Sequence, residues 1–458
     1  MTCSRLDEAF AYIESFTNLE RSQQYTVRTY RLDRMHRLLD FFDHPERSYR
    51  IIHVAGSKGK GSTCTMVAYA LQALGFKAGL YGSPHVSSYM ERFTLAGTWF
   101  SDEMVLSAIN GMFSHLEGFT FPEEQGYDRP TTFELLTLLA LLLFKQSDCD
   151  YAVLETGLGG RLDATNVVEP VLTAVTPIEL EHTNILGSTI AKIAAEKGGI
   201  IKKGVPVVTA PQHLDALTVL RNIAADRVSK FIYLPELLVH TSSHSTLREH
   251  HLCLMWSNDT VDDLHIRLLG SFQGENCATA IAMLEQLNLI PTAERREAAL
   301  SGISRAVLPG RMEAIGRDPV IIIDGAHTSR SIDRVIDSFR ELIPSGGAVI
   351  FGVVTGKDHT RMVESLLKAF DRLIISTPGT FKPSSPIELY TLCISTAQRM
   401  VAEGDLEAPP VILFEQQPAR ALKRSMELLY PGEGLLVTGS FYMAAEIRSI
   451  CLQEVSYD

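Results

Sequence analysis

The chain has 458 residues, of which 45% are hydrophobic and 21% charged, so it is long enough for two or three globular domains with their own cores. Its 42 Lys and Arg against 54 Asp and Glu give a formal net charge of −12, which disfavours non-specific binding to nucleic acid or to an anionic membrane surface. No secretory signal, bilayer-spanning apolar run or C-x-x-C pair is found, so we expect a soluble, reduced, cytoplasmic protein.

Short apolar strands alternate with helical stretches along the N-terminal part of the chain. Each strand is apolar throughout rather than alternately apolar and polar, which is typical of a parallel sheet covered on both faces. Thr131 followed by Glu134 is a capping box, which predicts the start of a leucine-rich helix. The pattern predicts a doubly wound, mostly parallel α/β sheet, with strands at 51–55, 77–81, 151–155, 171–176 and 205–209 and a helix at 62–74.

The composition changes at residues 231–264, which are rich in histidine and carry few helix signals. We expect small β-hairpins here, at one edge of the first domain. We interpret His240 and His244 as solvated rather than as metal ligands, because the segment has no helical pattern. The α/β pattern then restarts and predicts a smaller, Rossmann-like domain, with strands at 320–324, 348–353, 373–376, 411–414 and 435–438. The predicted domains are residues 1–303 and 304–458.

The strongest local signal lies between the first strand and its helix, where residues 56–63 read Gly-Ser-Lys-Gly-Lys-Gly-Ser-Thr. Glycines let backbone N–H groups turn toward a phosphate, and the helix N-terminus adds a partial positive charge. Lys60 is placed to reach the terminal phosphates, and the hydroxyls after it are placed to hold Mg²⁺ or phosphate. The general phosphate-loop motif is imperfect, because Val54 replaces its first glycine and Gly61 follows the lysine. The alternative is a flexible glycine turn.

Polar side chains at the carboxyl ends of parallel strands mark the edge where α/β sheets bind ligands. Glu155 ends one strand, and as a hard oxygen donor it suits Mg²⁺, with the Ser83 hydroxyl as a further ligand on the same edge. The alternative is a carboxylate that caps the amides of its own loop. His182 and Lys197, taken alone, are typical of a structural histidine and a solvated helix lysine.

Five motifs, in this order along the chain, resemble those of the folylpolyglutamate synthase/dihydrofolate synthase family, within the Mur-ligase superfamily of ATP-dependent amide-forming ligases. They lie at residues 53–62, 154–166, 182–187, 196–200 and 324–327. The resemblance covers most of the chain and includes the glycine after the lysine that spoils the general phosphate-loop motif. It implies an N-terminal ATP-binding domain that also holds the folate site, and a C-terminal ligase domain.

The resemblance implies a role for each matching residue. ATP would be held by Gly59, Lys60, Gly61, Ser62, Asn276, Arg311, Asp324 and His327, the last near the nucleotide or the incoming glutamate. Magnesium, at two sites, would be ligated by Ser83, Glu155 and His182. Lys197 would be N6-carboxylated to a carbamate that supports the metal site, and Lys60, Lys197 and His182 would form the catalytic set. The pterin would be received by Thr131, Thr132, Phe133, Glu134, Leu162, Asp163 and Ala164.

The implied activity joins the carboxylate of dihydropteroate or of a (tetrahydro)folate polyglutamate to the amine of L-glutamate through an acyl phosphate, giving ADP and phosphate. ATP, a pteroyl substrate and glutamate are the expected partners of a monomeric chain, with no nucleic acid and no membrane. One alternative is another superfamily ligase acting on a UDP-sugar peptide, for which we expect a UDP-binding domain ahead of the phosphate loop. Another is a phosphate-loop nucleotide switch, which leaves Glu155, His182 and Lys197 unexplained. Lys58 and Glu181 depart from the family's common Asn and usual Asp, which bears on substrate preference.

Overall fold

The computed structural model describes residues 3–18, 31–119, 129–316, 318–355, 359–379 and 382–455. Contacts between residues divide the chain into two compact units. The first comprises Met1–Ser242, Cys253–Leu264 and Gln273–Ala306, and the second comprises Ser243–Leu252, His265–Phe272 and Val307–Asp458. The sequence predicted a single boundary between residues 303 and 304, whereas the structure also groups two earlier segments with the second unit.

Eight strands form the main sheet of the first unit. They are β1 Arg50–Ala55, β2 Ala78–Tyr81, β3 Phe93–Leu95, β4 Thr98–Trp99, β5 Tyr151–Glu155, β6 Leu172–Val175, β7 Val207–Thr209 and β8 Phe231–Tyr233. Their order across the sheet is β4-β3-β2-β5-β1-β6-β7-β8, and neighbours pair in parallel except at the β4-β3-β2 edge. The central strand β1 is buried after Arg50, as its continuous apolar pattern predicted.

Eleven helices of the first unit lie within the described ranges. They are α1 Leu6–Glu14, α2 Leu32–Phe41, α3 Lys60–Ala73, α4 Asp102–Leu116, α5 Thr132–Gln146, α6 Thr183–Leu186, α7 Ile190–Gly198, α8 Leu214–Asp226, α9 Leu234–Leu237, α10 Gln273–Gln286 and α11 Ala293–Ser304. Helices α1, α2, α4 and α5 share one hydrophobic cluster with β1, β2 and β5, and α7 and α8 share another with β6 and β7. The leucine-rich α5 begins at the predicted capping box.

The histidine-rich segment forms a separate three-stranded sheet. Its strands are β9 Leu238–Ser245, β10 His250–Trp256 and β11 Val261–Ile266, in the order β11-β10-β9. Most of the segment is therefore β structure, but Phe231–Tyr233 is the edge strand β8 of the main sheet, Leu234–Leu237 is helix α9, and the three later strands form their own sheet. Residues of β11 alternate between exposed and buried, which is typical of a sheet covered on one face only.

The second unit is built on a six-stranded sheet with both faces covered. Its elements are β12 Glu313–Ile315, β13 Ile321–Ile323, α12 Ser329–Leu342, β14 Gly347–Phe351, α13 His359–Ala369, β15 Arg372–Ile375, α14 Pro386–Glu403, β16 Val411–Phe414, α15 Pro418–Glu427, β17 Gly434–Thr438 and α16 Phe441–Val455. The strand order is β12-β13-β17-β14-β15-β16, parallel except for β12. Ile322 packs with α12, α13 and α14, whereas Ile321 and Ile323 pack with α15 and α16.

The predicted strands agree with the structure to within two residues, and those at 151–155 and 411–414 have the predicted bounds. The doubly wound, mostly parallel α/β prediction is confirmed. The sequence missed β3, β4 and β12, which are short antiparallel strands of two or three residues. Across the described ranges, every helix is too short or too polar to cross a bilayer.

Candidate functional site

The strand order brings four predicted motifs to one edge of the main sheet. Strands β2, β5, β1 and β6 are neighbours in this order and run parallel, so their carboxyl ends lie side by side. Ser83 follows β2, Glu155 ends β5, Gly56 follows β1 and Glu181 follows β6. Residues that are far apart in sequence therefore share the edge at which α/β sheets bind ligands.

The glycine-rich segment turns sharply from β1 into α3. Gly56 (φ +149°) and Gly59 (φ +84°) have backbone conformations that favour glycine. A Cβ on Gly59 would lie 2.1 Å from Oδ1 of Asn276, and a Cβ on Gly56 would lie 1.9 Å from Oγ1 of Thr176. Because α3 begins at Lys60, its unpaired N-terminal amides and the positive end of its dipole are presented by this loop. The geometry suits a phosphate-binding loop.

Lys60 and the predicted metal ligands Ser83 and Glu155 lie together. The Lys60 Nζ donates to the Gly56 carbonyl at 3.0 Å and lies 3.9 Å from Oε1 of Glu155. Oε2 of Glu155 accepts from the Ser83 backbone N–H at 3.2 Å, and the Glu155 side chain is buried. A cation and a carboxylate are thus held beside the phosphate loop.

Lys197 is a deeply buried cation beside the phosphate loop. Its residue is 1% exposed, and its Nζ donates to the Gly56 carbonyl at 2.7 Å and to Oε1 of Glu181 at 2.8 Å. Burial lowers the pKa of Lys197 to about 8, although the Glu181 carboxylate opposes the shift. Burial acts to raise the pKa of Glu181, but the charges of Lys197, Lys60 and Lys58 outweigh it and hold that pKa well below its usual range. Lys197 is therefore not the solvated helix lysine that its sequence context alone suggests.

His182 adjoins this pair in the chain. It adopts a left-handed backbone conformation (φ 47°, ψ 38°) just before α6, and its side chain is exposed. Within the part of the chain that the structure describes, no group of three or more His, Cys, Asp or Glu side chains is arranged to hold a metal ion. The predicted magnesium set of Ser83, Glu155 and His182 has two such side chains and a serine, so it stays a prediction.

The start of α5 is fixed by a buried ion pair. Nε of Arg34 donates to both carboxylate oxygens of Glu134 at 3.0 and 3.1 Å, and its Nη2 lies 2.9 Å from Oε1. Oε2 of Glu134 also accepts from the Thr131 N–H at 2.8 Å, and Thr131 Oγ1 accepts from the Glu134 N–H at 3.2 Å. Thr132 Oγ1 donates to the Ile13 carbonyl at 3.1 Å. The side chains of Thr131, Thr132 and Glu134 are thus engaged in shaping the segment that was predicted to receive the pterin.

The second predicted pterin segment packs against the first. We call residues 157–166 the substrate loop. A Cβ on Gly157 would lie 2.5 Å from Cζ of Phe133, so the aromatic ring covers the beginning of this loop. Ala164 is buried in the same cluster as α5, and Leu162 is half-buried. The structure therefore brings residues 131–134 and 162–164 into one region.

Asp163 holds the substrate loop in shape. It is 4% exposed, and its carboxylate accepts from the Leu158 N–H at 2.8 Å, the Thr165 N–H at 3.0 Å and the Thr165 hydroxyl at 2.5 Å. Burial raises the pKa of Asp163, and these hydrogen bonds oppose the rise. The Thr165 hydroxyl is also 2.8 Å from Nε2 of His53 on β1.

Asn276 lies on α10 and faces the phosphate loop. It is 5% exposed, its Nδ2 donates to Oε1 of Gln273 at 2.8 Å, and its Oδ1 is the atom that a side chain at Gly59 would strike. The predicted nucleotide contact Asn276 is therefore adjacent to the predicted phosphate-binding residue Gly59.

The remaining predicted nucleotide residues form a cluster in the second unit. Asp324 is 5% exposed and accepts from the Met312 N–H at 2.9 Å and the Ala326 N–H at 2.8 Å. The Arg311 guanidinium lies 4.0 Å from the centroid of the Phe441 ring, a cation–π contact.

His327 belongs to the same cluster. Its Nδ1 donates to the Gly325 carbonyl at 2.8 Å, and its ring centroid is 5.7 Å from that of Phe441. With Nδ1 protonated, the neutral ring presents Nε2 as an acceptor. Loop and ring contacts thus orient Arg311, Asp324 and His327 together.

Sequence reasoning did not single out Arg34 or His53. His53 could have been noticed as a polar residue within the apolar run of β1, whereas Arg34 stands among other polar residues in α2 and gives no such signal. Their partners are 100 and 112 residues away, so only the fold reveals what they bind.

Two family models match the chain. Residues 54–284 match the Mur ligase middle domain, and residues 310–441 match the Mur ligase glutamate ligase domain. Together they cover all the predicted site residues.

Similar proteins are found along nearly the whole chain. The dihydrofolate synthase/folylpolyglutamate synthase of Bacillus subtilis (strain 168) is 32% identical over 91% of this chain and 94% of its own length. The folylpolyglutamate synthase of Lacticaseibacillus casei is 30% identical over 97% of this chain and 98% of its own. A solved complex of a folylpolyglutamate synthase (FPGS) with AMPPCP and folate matches with a TM-score of 0.80 and 28% identity, covering 98% of this chain and 100% of that one.

Proposed function

The chain belongs to the Mur ligase family and, within it, to the folylpolyglutamate synthases and dihydrofolate synthases, and we propose that it ligates L-glutamate to both dihydropteroate and reduced folates. The observation that carries the proposal is the convergence of Lys60 and Lys197 on the Gly56 carbonyl, with Glu155 beside Lys60. A nucleotide switch needs the phosphate loop alone. A second, buried lysine at the same loop is typical of a catalytic site and is not needed for nucleotide binding alone.

The reaction requires an activated carboxylate, because a free carboxylate has no leaving group that an amine can displace at neutral pH. A carboxylate oxygen attacks the γ-phosphorus of ATP, ADP departs, and an acyl phosphate forms. The glutamate amine then attacks the acyl carbon, loses a proton, and phosphate departs with the original carboxylate oxygen. Catalysis of both steps rests on positioning and on neutralising negative charge.

The phosphate loop and Lys60 supply those functions. The N-terminal amides of α3 face the phosphates, and Lys60 exchanges its bond to the Gly56 carbonyl for the terminal phosphates when ATP binds. Gly59, Gly61 and Ser62 shape and line the loop. Asn276 fixes the close approach of α10 to Gly59 and contacts the nucleotide from that side.

The residues at the sheet edge fit magnesium. Glu155 is a buried carboxylate, Ser83 supplies a hydroxyl on the neighbouring strand end, and His182 is an exposed imidazole one residue from Glu181. Ser83, Glu155 and His182 would hold the ions, and bound Mg²⁺ would neutralise charge on the phosphates. The hydrogen bond that Glu155 accepts from the Ser83 N–H holds these two predicted ligands next to each other.

Lys197 is suited to carboxylation by CO₂. The reaction needs the neutral amine, and a pKa lowered to about 8 makes that form more abundant near neutral pH than in an exposed lysine. The carbamate would replace a cation by an anion beside the magnesium ligands. Its formation would break the present bond between Nζ and Glu181, whose negative charge Lys58 and Lys60 can still balance.

Two pteroyl substrates are proposed because the similar proteins include one named for both activities and one named for folate polyglutamylation. Thr131–Glu134 and Leu162–Ala164 lie in one region of the first unit and would receive the pterin. In the second unit, Arg311 and Asp324 would contact the nucleotide and His327 the nucleotide or glutamate. A monomeric state and a cytoplasmic location stay predictions from the sequence.

The proposal is tested by following ADP release with MgATP and every combination of pteroyl substrate and glutamate. Dihydropteroate and tetrahydrofolate are assayed in parallel, and products are identified by mass. We expect ADP and one added glutamate only when a pteroyl substrate and glutamate are both present. ADP release that is indifferent to both would instead support the nucleotide switch, and activity with tetrahydrofolate alone would remove the dihydrofolate synthase activity.

A further inference from the structure

His53 is a buried histidine on the strand that leads into the phosphate loop. It is 0% exposed, and it lies on central strand β1, three residues before Gly56. Burial lowers its pKa to about 3, so the ring is neutral at the pH of the cell. A neutral imidazole inside an otherwise apolar strand calls for a hydrogen-bonding reason, since burying a polar group without one is unfavourable.

A hydrogen-bond relay joins His53 to the substrate loop. The Thr165 hydroxyl donates to Oδ1 of Asp163 at 2.5 Å, and a hydroxyl has one proton to donate. The 2.8 Å contact between Thr165 Oγ1 and His53 Nε2 is therefore a bond donated by the histidine. Asp163 in turn accepts from the Leu158 N–H at 2.8 Å, so the relay reaches from β1 to the beginning of the loop.

The other side of the substrate loop is tied to the segment that follows Lys197. Nδ2 of Asn166 donates to the carbonyls of Arg161 at 3.1 Å and Gly199 at 3.2 Å, and Lys202 Nζ donates to the Asn166 carbonyl at 2.8 Å. The loop is thus fixed at two places, to β1 through His53 and to the end of α7 through Asn166. Leu162, which precedes both anchors in the chain, is half-buried.

We propose that His53 and Thr165 are positioning residues that set the pteroyl-binding loop relative to the phosphate loop. The inference rests on the proposed function and adds two residues to it. Because β1 carries His53 and then Gly56, one rigid strand fixes both the loop that receives the pteroyl group and the loop that holds the phosphoryl donor. A loop that is held in its binding shape before the substrate arrives loses less freedom on binding, so such a link should tighten the binding of the pteroyl group.

The test compares four single variants of the full chain, and the double variant of Thr165→Val and His53→Leu, under steady-state conditions. Thr165→Val and His53→Leu remove the two sides of the bond, and Thr165→Ser retains the hydroxyl. Thr173→Val is the matched control. Thr173 is an equally buried threonine on β6, paired in register with His53, but the Thr173 hydroxyl donates to the Pro206 carbonyl instead. KM values for dihydropteroate and for ATP are measured for each, because a KM is insensitive to the folded fraction.

We expect Thr165→Val and His53→Leu each to raise the KM for dihydropteroate about tenfold, the size of effect that one unpaired buried donor or acceptor produces. The KM for ATP should remain within about twofold of the native value. Thr165→Ser and Thr173→Val should have native KM values. The double variant should raise the KM for dihydropteroate no further than either single variant, because both substitutions break the same bond. Lower thermal stability with unchanged KM values would show a merely structural role and overturn the inference, and so would an equal rise in both KM values. Absence of glutamate ligation by the native chain would instead refute the proposed function.

Discussion

Two ion pairs of the first unit are both buried but differ in their hydrogen bonding. At the start of α5, Arg34 and Glu134 are each 4% exposed, and the Arg34 guanidinium donates to both carboxylate oxygens. Beside the phosphate loop, the Lys197 Nζ donates to a single oxygen of Glu181 and also to the Gly56 carbonyl. The guanidinium of the first pair contacts both carboxylate oxygens, whereas the second pair leaves a compact nitrogen with a lowered pKa beside the phosphate loop.

The difference shows that burial alone does not identify a reactive group. Arg34 joins α2 to the capping box of α5, a place where the chain needs a fixed helix start. Glu181 lies in an irregular segment after β6, where several cations compete for one carboxylate. We therefore expect the Arg34–Glu134 pair to act in stability and the Lys197–Glu181 pair to act in catalysis.

The largest expected effect is that of Lys197→Met on turnover. Loss of the nitrogen removes the carbamate and the bond to the phosphate loop, so kcat should fall about 1,000-fold, or about 4 kcal/mol in the barrier. Lys192→Met, on the exposed side of the same helix α7, is the matched control and should keep its activity. If Lys197→Met retained a third of native turnover, the distinction between the two pairs would be lost.

Arg34→Met should have its main effect on stability. It leaves the Glu134 carboxylate buried without its cation, and we expect the free energy of unfolding in urea to fall by about 3 kcal/mol. Adding Glu134→Gln should recover part of this loss, because the amide oxygen can still accept from Thr131. Arg31→Met, which breaks a more exposed pair with Asp33, should cost less than about 1 kcal/mol. A stable Arg34→Met protein with lost turnover would reverse the assignment.

Acid should destabilise the first unit through His53. Its pKa is about 3 in the folded chain and near 6.5 when unfolded, so below pH 6.5 the unfolded state binds a proton that the folded state does not. The histidine therefore lowers the free energy of unfolding as pH falls, by about 2 kcal/mol between pH 7.5 and pH 5. The measurement is urea unfolding of native and His53→Leu proteins at both values. Parallel pH profiles would show that His53 is not held neutral.

The smallest expected effect is that of Arg161→Ala. Arg161 makes two hydrogen bonds to Oε1 of Glu196, but its side chain is 54% exposed. Solvent screens such a pair, so the free energy of unfolding should change by about 0.5 kcal/mol. A loss as large as that of Arg34→Met would mean that the number of hydrogen bonds, rather than burial, determines what an ion pair contributes here.

Local patterns predicted much of the fold. The apolar run at Tyr151–Glu155 and the capping box at Thr131 give unambiguous local signals, and the structure has both. The two-residue strand β4 carries too few residues for a period to show. The antiparallel edge that it forms with β3 therefore had to come from the structure.

The sequence predicted the site residues that lie in local motifs, but it could not predict the contacts between residues that are far apart in the chain. Lys60 follows from its glycines and the strand–helix setting, and Lys197 follows from the resemblance alone. Sequence could not show that these two lysines share the Gly56 carbonyl, because this depends on the order of β1 and β6 in the sheet. The burial that lowers the pKa of Lys197 likewise results from packing.

We expect the chain to form its amide through an acyl phosphate, and this is tested by following the carboxylate oxygens into the products. Dihydropteroate labelled with ¹⁸O in both carboxylate oxygens is incubated with MgATP and L-glutamate, and the released phosphate is analysed by mass spectrometry. The mechanism predicts one ¹⁸O atom in each phosphate and one in each new amide carbonyl. Unlabelled phosphate accompanying amide formation would contradict it.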